Sequence, residues 1–413
     1  MPYIGFAKFV LGFWTLIFSI SVLSAPASLE TITETPKLNI LSTVDISDYV
    51  DLPHSMKIDG NYAYILGSTF SLKEHQKRRS ILILDIKDES NPGVISNVAF
   101  DNVVFDIAVS GNYLYAIYKE SASGTSGMLI IDLSDHSNPE VTDLKSFFPT
   151  ICTRIVMDDD EMYVISNKKG LLSESRIFTL NRENPLAPEI ISSHFTDLKS
   201  KEIHLFLPDY PRELFLKDDQ LFIVGNKNVF SFIFFHGELQ LIKTQEIRLD
   251  RTEDAAVYFY GNDVDEYVLY VAGNEFNSFA DFDVNNDGQT GYHSAQGVYM
   301  TRPSVLNQLP AKEQMKIRMK PFATTFRPEV VVAKENLVCL LGFDNQTTGK
   351  ILCVDFHDIT NPSLVGSYDM DGVNPQDAVI LNDKLYVVVT GGKLCIFELP
   401  DTEFGFIQIQ KSK

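Results

Sequence analysis

The segment Asp283-Val284-Asn285-Asn286-Asp287-Gly288 carries the most specific local chemistry in this 413-residue chain. Oxygen-bearing side chains at alternating positions can face one ion, and the glycine permits the sharp turn that opens a twelve-residue calcium loop. The ninth and twelfth loop positions are Gly291 and Ser294, so the usual bidentate acid is missing, and Asp281 just upstream is available as a substitute carboxylate. Asp281, Asp283, Asn285 and Asp287 are read as a calcium site that stiffens its loop, with a plain Asx-rich turn as the competing reading. A second group consists of His54, Asp106, Arg154, Arg212 with Glu213, Asp254, Arg327 with Glu329, and Asp377, each at the start of an apolar run. An imidazole among carboxylates can move protons, and a mixture of guanidinium and carboxylate groups can hydrogen-bond a polar ligand. Nucleophilic catalysis finds little support. There is no G-x-S-x-G elbow, H-E-x-x-H pair or Walker loop, and the eight histidines lack metal-ligand spacing.

The elements that must position these residues follow from a repeat. Asp85-x-x-Asp88-x-x-Asn91-Pro92, Asp132-x-x-Asp135-x-x-Asn138-Pro139 and Asp355-x-x-Asp358-x-x-Asn361-Pro362 each follow a four-residue apolar run, and Asn181 to Pro188 is a degraded copy. Asp and Asn accept hydrogen bonds from main-chain N–H groups two residues on, and Pro cannot continue a strand ladder, so these carboxylates read as turn caps rather than catalysts. A second landmark is a polar turn followed by an aromatic-rich strand, clearest at Gly60-Asn61-Tyr62-Ala63-Tyr64 and Gly111-Asn112-Tyr113-Leu114-Tyr115. Its counterparts at Tyr163, Phe222, Tyr270, Cys339 and Tyr386 give successive separations of 51, 48, 59, 48, 69 and 47 residues. Each unit reads as four strands. The second is expected at Phe105 to Val109, Tyr113 to Tyr118, Met128 to Leu133 and Val141 to Phe147.

Seven such units cannot bury their apolar faces singly and must stack. The expected fold is all-β, a β-propeller of seven four-stranded blades closed by pairing of N- and C-terminal strands. Leu41-Ser42-Thr43-Val44-Asp45-Ile46 is expected to supply the outer strand of the final blade, whose other strands come from Ala378 to Leu399, with Phe404 to Gln410 competing for that place. With the runs before Asp85, Asp132 and Asp355 in view, the chain resembles the LVIVD-repeat proteins, bacterial and archaeal surface or secreted β-propellers. The resemblance is strong in units one, two and six. It implies a propeller and an extracytoplasmic location, and supplies neither an established activity nor catalytic residues. The first strand of each blade would line the central channel, which turns the second group above into a ring at the channel mouth. Long insertions at Ser68 to Ser80, Lys119 to Gly127, Lys168 to Ser175 and about 274–296 would rise on the same face.

Compartment and partners follow from composition. The single charge Lys8, the apolar run Val10 to Leu23 and the small residues Ser24-Ala25-Pro26-Ala27 have the layout of a secretory signal peptide over 1–27, with an uncleaved anchor helix as the alternative. A short linker over 28–37 then leads to a single propeller domain over 38–413, exported to the periplasm, cell surface or medium as a monomer without a later membrane span. The lone Trp14 falls in the signal, so the WD-type signature is absent. A formal net charge of −20 disfavours nucleic acid. Cys152, Cys339, Cys353 and Cys395 form no CxxC pair; Cys339 and Cys353 either form a disulfide or, like the others, act as buried small hydrophobes. The leading functional reading is a binding or scaffold propeller that recognises a protein, peptide or glycan through its loop face, with calcium as the one implied ion. The alternative is a hydrolase or lyase with a polar site at the channel mouth, using His54 and acids such as Asp106 or Asp377.

Overall fold

The apolar runs before Asp85, Asp132 and Asn181 stop for the expected reason, while the turn after Asp355 lies outside the described residues. In the computed structural model, Asp85 Oδ1 accepts the amide of Lys87 at 2.8 Å and Asp88 Oδ1 that of Ser90 at 3.1 Å. Asp132 and Asp135 do the same with Ser134 and Ser137 at 2.8 and 3.0 Å, and Asn181 and Asn184 with Glu183 and Leu186 at 2.7 and 3.3 Å. Hydroxyl and then amide bonds from the serines hold Asp88, Asp132 and Asp135 below the usual carboxylate range. These are solvent-facing caps whose oxygens serve the turn.

The structure describes residues 36–71, 76–120, 124–157, 161–166, 175–196, 213–217, 220–225, 228–235, 238–246, 251–259, 267–276, 294–301, 327–335, 337–343, 348–355 and 363–400. The calcium-loop residues Asp281, Asp283, Asn285 and Asp287, together with Arg212, the signal segment and Phe404 to Gln410, lie outside them.

Between the turns the strands pair antiparallel into seven sheets. The chain opens with β1 (Asn39–Asp45). Blade one is β2 (Leu52–Asp59), β3 (Tyr62–Ser71), β4 (Gln76–Asp85) and β5 (Gly93–Phe100); blade two is β6 (Val103–Ser110), β7 (Tyr113–Lys119), β8 (Ser126–Asp132) and β9 (Glu140–Phe148). Blade three is β10 (Cys152–Met157), β11 (Glu161–Ser166), β12 (Ser175–Asn181) and β13 (Glu189–Thr196); blade four is β14 (Glu213–Lys217), β15 (Gln220–Val224), β16 (Asn228–Phe235) and β17 (Glu238–Glu246). Blade five has three described strands, β18 (Arg251–Phe259), β19 (Tyr267–Phe276) and β20 (Ser294–Thr301). Blade six is β21 (Arg327–Lys334), β22 (Leu337–Phe343), β23 (Gly349–Asp355) and β24 (Ser363–Met370). Blade seven takes β25 (Pro375–Leu381), β26 (Lys384–Val389) and β27 (Lys393–Glu398) from the end of the chain and β1 from its beginning, in the order β1-β27-β26-β25. The first strands of successive blades neighbour one another all the way round, from β2 through β21 to β25 and back to β2.

Among the described side chains, each core cluster is shared by neighbouring blades. Tyr64 and Ile83 of blade one pack with Leu114, Ala116 and Ile131 of blade two, and Tyr115 and Ile130 of blade two pack with Val164 and Phe178 of blade three. Middle strands are therefore buried on both faces, which is why they read as continuous apolar runs. Most outer strands carry a register shift, between the partners of Ile83 and Leu84 in β5, Thr179 and Leu180 in β13, Ser231 and Phe232 in β17, and Cys353 and Val354 in β24. A bulge twists an exposed edge away from further pairing.

Two of the expected loop insertions differ from expectation. Ser68 to Ser71 pair with Arg79 to Gln76, and Tyr118 and Lys119 pair with Gly127 and Ser126, so these stretches prolong the central hairpins instead of forming irregular loops. Alternating backbone groups that keep pairing satisfy their hydrogen bonds more cheaply than an open loop of the same length. In blade five the pairing likewise continues to Phe276 and Ser294. Cys339 and Cys353, directly opposed on β22 and β23, form a disulfide, while Cys152 and Cys395 are free and buried.

Candidate functional site at the channel mouth

In six of the seven blades the described first strand reaches the channel through a β-bulge. Pairing of first and second strands sets Ser55, Asp106, Arg154, Glu213, Asp254, Val330 and Asp377 at one level of the ring, opposite Leu66, Ile117, Ile165, Val224, Ala272, Leu341 and Val388. Just before that level the register shifts by one, which leaves His54, Phe105, Thr153, Glu253, Glu329 and Gln376 as the bulged residues. The sequence-derived ring thus merges two layers. Asp106, Arg154, Glu213, Asp254 and Asp377 belong to the ring level, whereas His54 and Glu329 sit on the bulges above it. The physical reason is that an inserted residue is invisible to an alignment anchored on the second strand. Arg327 pairs with Phe343 at the very start of β21, outside both layers.

Two adjoining hollows of about 310 and about 410 Å3 occupy the channel, and Lys57, Asp106, Arg154, Glu213 and Asp377 line both. His54, Glu329 and Gln376 line the second hollow only. Lys57 was not anticipated from sequence. It stands two residues beyond Ser55 in β2, and the period of two along a strand is the signal that points it inward with the ring level.

The carboxylates at this level divide by what they bind. Asp377 Oδ2 accepts the amide of Met56 across the seam at 2.7 Å, and its Oδ1 accepts the amide of Ala378 at 2.8 Å. Asp106 repeats the arrangement: Oδ2 accepts Ile155 N and Oδ1 accepts Ile107 N, each at 3.0 Å. Each aspartate therefore staples its blade to the inner strand of the next. The stapled amides adjoin site residues, Met56 lying between Ser55 and Lys57 and Ile155 following Arg154. Glu213, one methylene longer, reaches back instead to the guanidinium of Arg154 at 3.4 Å, and Arg154 also donates to the carbonyl of Thr153 at 3.1 Å. The Arg154 and Glu213 side chains keep 34% and 26% of their surface exposed, so channel water screens the pair.

Among the described side chains, Asp106, Glu213 and Asp377 face the cations Lys57 and Arg154, and the protonation equilibria reflect it. Burial raises the Glu213 carboxyl above the usual range; Asp106 and Asp377 add to the rise, while Arg154 and Lys57 oppose it. Burial also raises Asp377, against the pull of Lys57 and of its hydrogen bonds from Met56, Ala378 and Ser55. For Lys57, burial favours losing the proton, but Asp106, Asp377 and Glu213 together outweigh it and the ammonium holds its proton more tightly than usual. His54 Nε2 lies 3.4 Å from the hydroxyl of Ser68 at the root of the first hairpin, which ties it to the loop face. Among the described residues no cluster of His, Cys, Asp and Glu is arranged to hold a metal ion.

Comparison with solved structures agrees with the architecture. The WD40 domain of Neurospora crassa Pan2 superposes with a TM-score of 0.53 at 10% identity, covering 90% of this chain and 98% of that one. Hydrazine synthase of Kuenenia stuttgartiensis gives 0.56 at 13% identity, with 85% and 97% covered, and the virginiamycin B lyase of Staphylococcus aureus with quinupristin gives 0.50 at 10%, with 87% and 98% covered. At such identities the likeness concerns the fold alone. No curated protein matches the chain. Residues 103–143, which hold β6, β7, β8 and the first four residues of β9, match the LVIVD repeat. With that repeat built into one of seven radially arranged sheets, the chain is a β-propeller whose second blade matches the LVIVD repeat.

Proposed function

We propose that this propeller is an exported binding protein that holds a protein, peptide or glycan at the mouth of its central channel. One observation carries the reading: Asp106 and Asp377, the acids that channel catalysis would need, each spend both oxygens on backbone amides. Such carboxylates hold neighbouring blades together. His54, exposed and tied to the β3–β4 hairpin, and the half-exposed Glu329 and Gln376, all lining one hollow, are suited to hydrogen-bonding a ligand laid across the opening. Export is supported by the signal-like N-terminus and by a disulfide, which persists in oxidising compartments. Calcium held by Asp281, Asp283, Asn285 and Asp287 would stiffen the blade-five loop, and calorimetry with the purified protein tests it, since absence of uptake removes the proposal.

The experiment for the main reading is a glycan and peptide array probed with the wild-type protein and with a His54→Ala/Glu329→Ala/Gln376→Ala variant. Binding that disappears in the variant supports the mouth as the site; binding that persists unchanged moves the ligand elsewhere. A hydrolase or lyase at the same mouth has one observation in its favour, the elevated Glu213 carboxyl beside Arg154. Turnover of any arrayed ligand that vanishes in Glu213→Gln would favour it.

A further inference from the structure

Three seams of the ring are fastened on the outside by one recurring contact. The hydroxyl of Tyr64 on β3 meets Nε2 of His136 at 3.0 Å, that of Tyr115 on β7 donates to the carbonyl of Pro185 at 3.0 Å, and that of Tyr386 on β26 donates to Glu89 at 3.3 Å. His136, Pro185 and Glu89 occupy the same fifth position of the Asx-rich turn in the next blade. At two of these seams an outer-strand serine adds to the latch: Ser96 and Ser42 donate to the carbonyls of His136 and Glu89, each at 2.7 Å.

Among the described residues, the seam between blades six and seven shows no such latch. Cys339 occupies the tyrosine position and is spent in a disulfide. Blade seven also differs from the receiving blades: its outer strand β1 arrives from the other end of the chain rather than through a turn after β27, which ends at Glu398. At this seam the residues just before β1 cross to blade six. Lys37 bridges Ser367 of β24 in parallel; Leu38 donates to the Ser367 carbonyl and Ser367 donates to the Pro36 carbonyl, both at 2.8 Å. Leu38 is buried among Cys339, Cys353 and Phe397, and it lies so close to Gly366 that a Cβ there would come within 2.5 Å of its Cδ2.

We propose that residues 36–38 are a strap that fastens the seam between blades six and seven in place of the tyrosine latch, so that releasing the strap opens this seam selectively. The consequence reaches the channel, since Glu329 of blade six and Gln376 of blade seven face one hollow across this seam. The inference does not depend on what the mouth binds.

Hydrogen exchange of the full chain, followed by mass spectrometry, tests it with two substitutions. Gly366→Ala drives a methyl group into Leu38. Ser367→Pro removes the one amide that the strap accepts, and the edge-facing position of that amide spares the ladder to β23. The expected result in either variant is about tenfold or faster exchange at the Leu38 amide, with the Met56 and Ile155 amides at other seams as protected as in wild type. Unchanged protection of Leu38 overturns the proposal. So does a uniform loss of protection at every seam, which would mean that the substitutions weaken the whole ring. Should one variant fail to fold, the other decides between the same outcomes.

Discussion

Asp106 and Asp377 on one side and Glu213 on the other stand at the same level of the same ring, yet they do opposite things. The aspartates lie close to their own backbone, where one oxygen takes the following amide and the other takes an amide of the next blade. Glutamate carries its carboxylate further into the channel, beyond reach of those amides, and meets Arg154 of the preceding blade. One methylene thus separates an acid that fastens two backbones from one that pairs with a side chain. Acids around a propeller channel cannot be counted as functional by type alone. Where their oxygens go decides.

The largest break in this comparison is Asp106→Ala. It leaves the Ile107 and Ile155 amides without their acceptor in a nearly closed setting, at a cost of about 3 kcal/mol. Thermal unfolding should shift down accordingly, and Asp106→Asn, which retains one acceptor oxygen, should lose about half as much. Because Ile155 follows Arg154, ligand binding at the mouth should weaken even in the folded fraction. An Asp106→Ala protein as stable as wild type would refute the staple.

Lys57→Met comes next. It strips the cation that offsets Glu213 and Asp377, both already raised by burial. Removing one partner of a buried charge cluster costs about 3–5 kcal/mol, which partial exposure reduces to about 2 here. The loss should depend on pH. A carboxyl raised in the folded state favours folding while protonated, so its contribution is complete below the ordinary carboxylate range and is lost as pH rises through that range toward the elevated value. Lys57→Met should therefore be closest to wild type near pH 4 and furthest from it near pH 7. Glu213→Gln sharpens the point in the other direction, since it should flatten part of the wild-type decline over the same interval. Melting temperatures at a series of pH values check both, and parallel curves for the three proteins would remove Glu213 from the account.

Much of this molecule was legible because its repeat is written in local chemistry. Asx caps, a proline that cannot extend a ladder and an aromatic second strand are all readable one unit at a time, and they led to seven blades and to β1 as the outer strand of the last, where it pairs with β27. The ring was harder. A bulge adds one residue without changing the hydrophobic pattern around it, so His54 and Glu329 aligned with Asp106 and Asp377 although they stand a layer above. Lys57 was overlooked for the converse reason: a lysine inside a strand reads as a solvated face until the ring supplies three carboxylates to meet it. The staples themselves were unreadable, since an aspartate that accepts amides across a seam has the same sequence appearance as one poised to transfer a proton.

The smallest expected effect separates the inside of a seam from its outside. Tyr115→Phe keeps the ring packed between blades two and three and removes only the hydroxyl that reaches the Pro185 carbonyl, a change of about 1 kcal/mol. Because the Asp106 staple at the same seam is untouched, the two contacts are coupled only through the rigid sheets between them. The double variant Tyr115→Phe/Asp106→Ala should then lose the sum of the two single effects to within about 0.5 kcal/mol. A shortfall would mean that once the inner staple is gone the blades part enough for the latch to be lost with it, making each seam a single cooperative unit. Additivity would instead assign the seam two independent fasteners, which is the condition under which a strap can take over from one of them at blades six and seven.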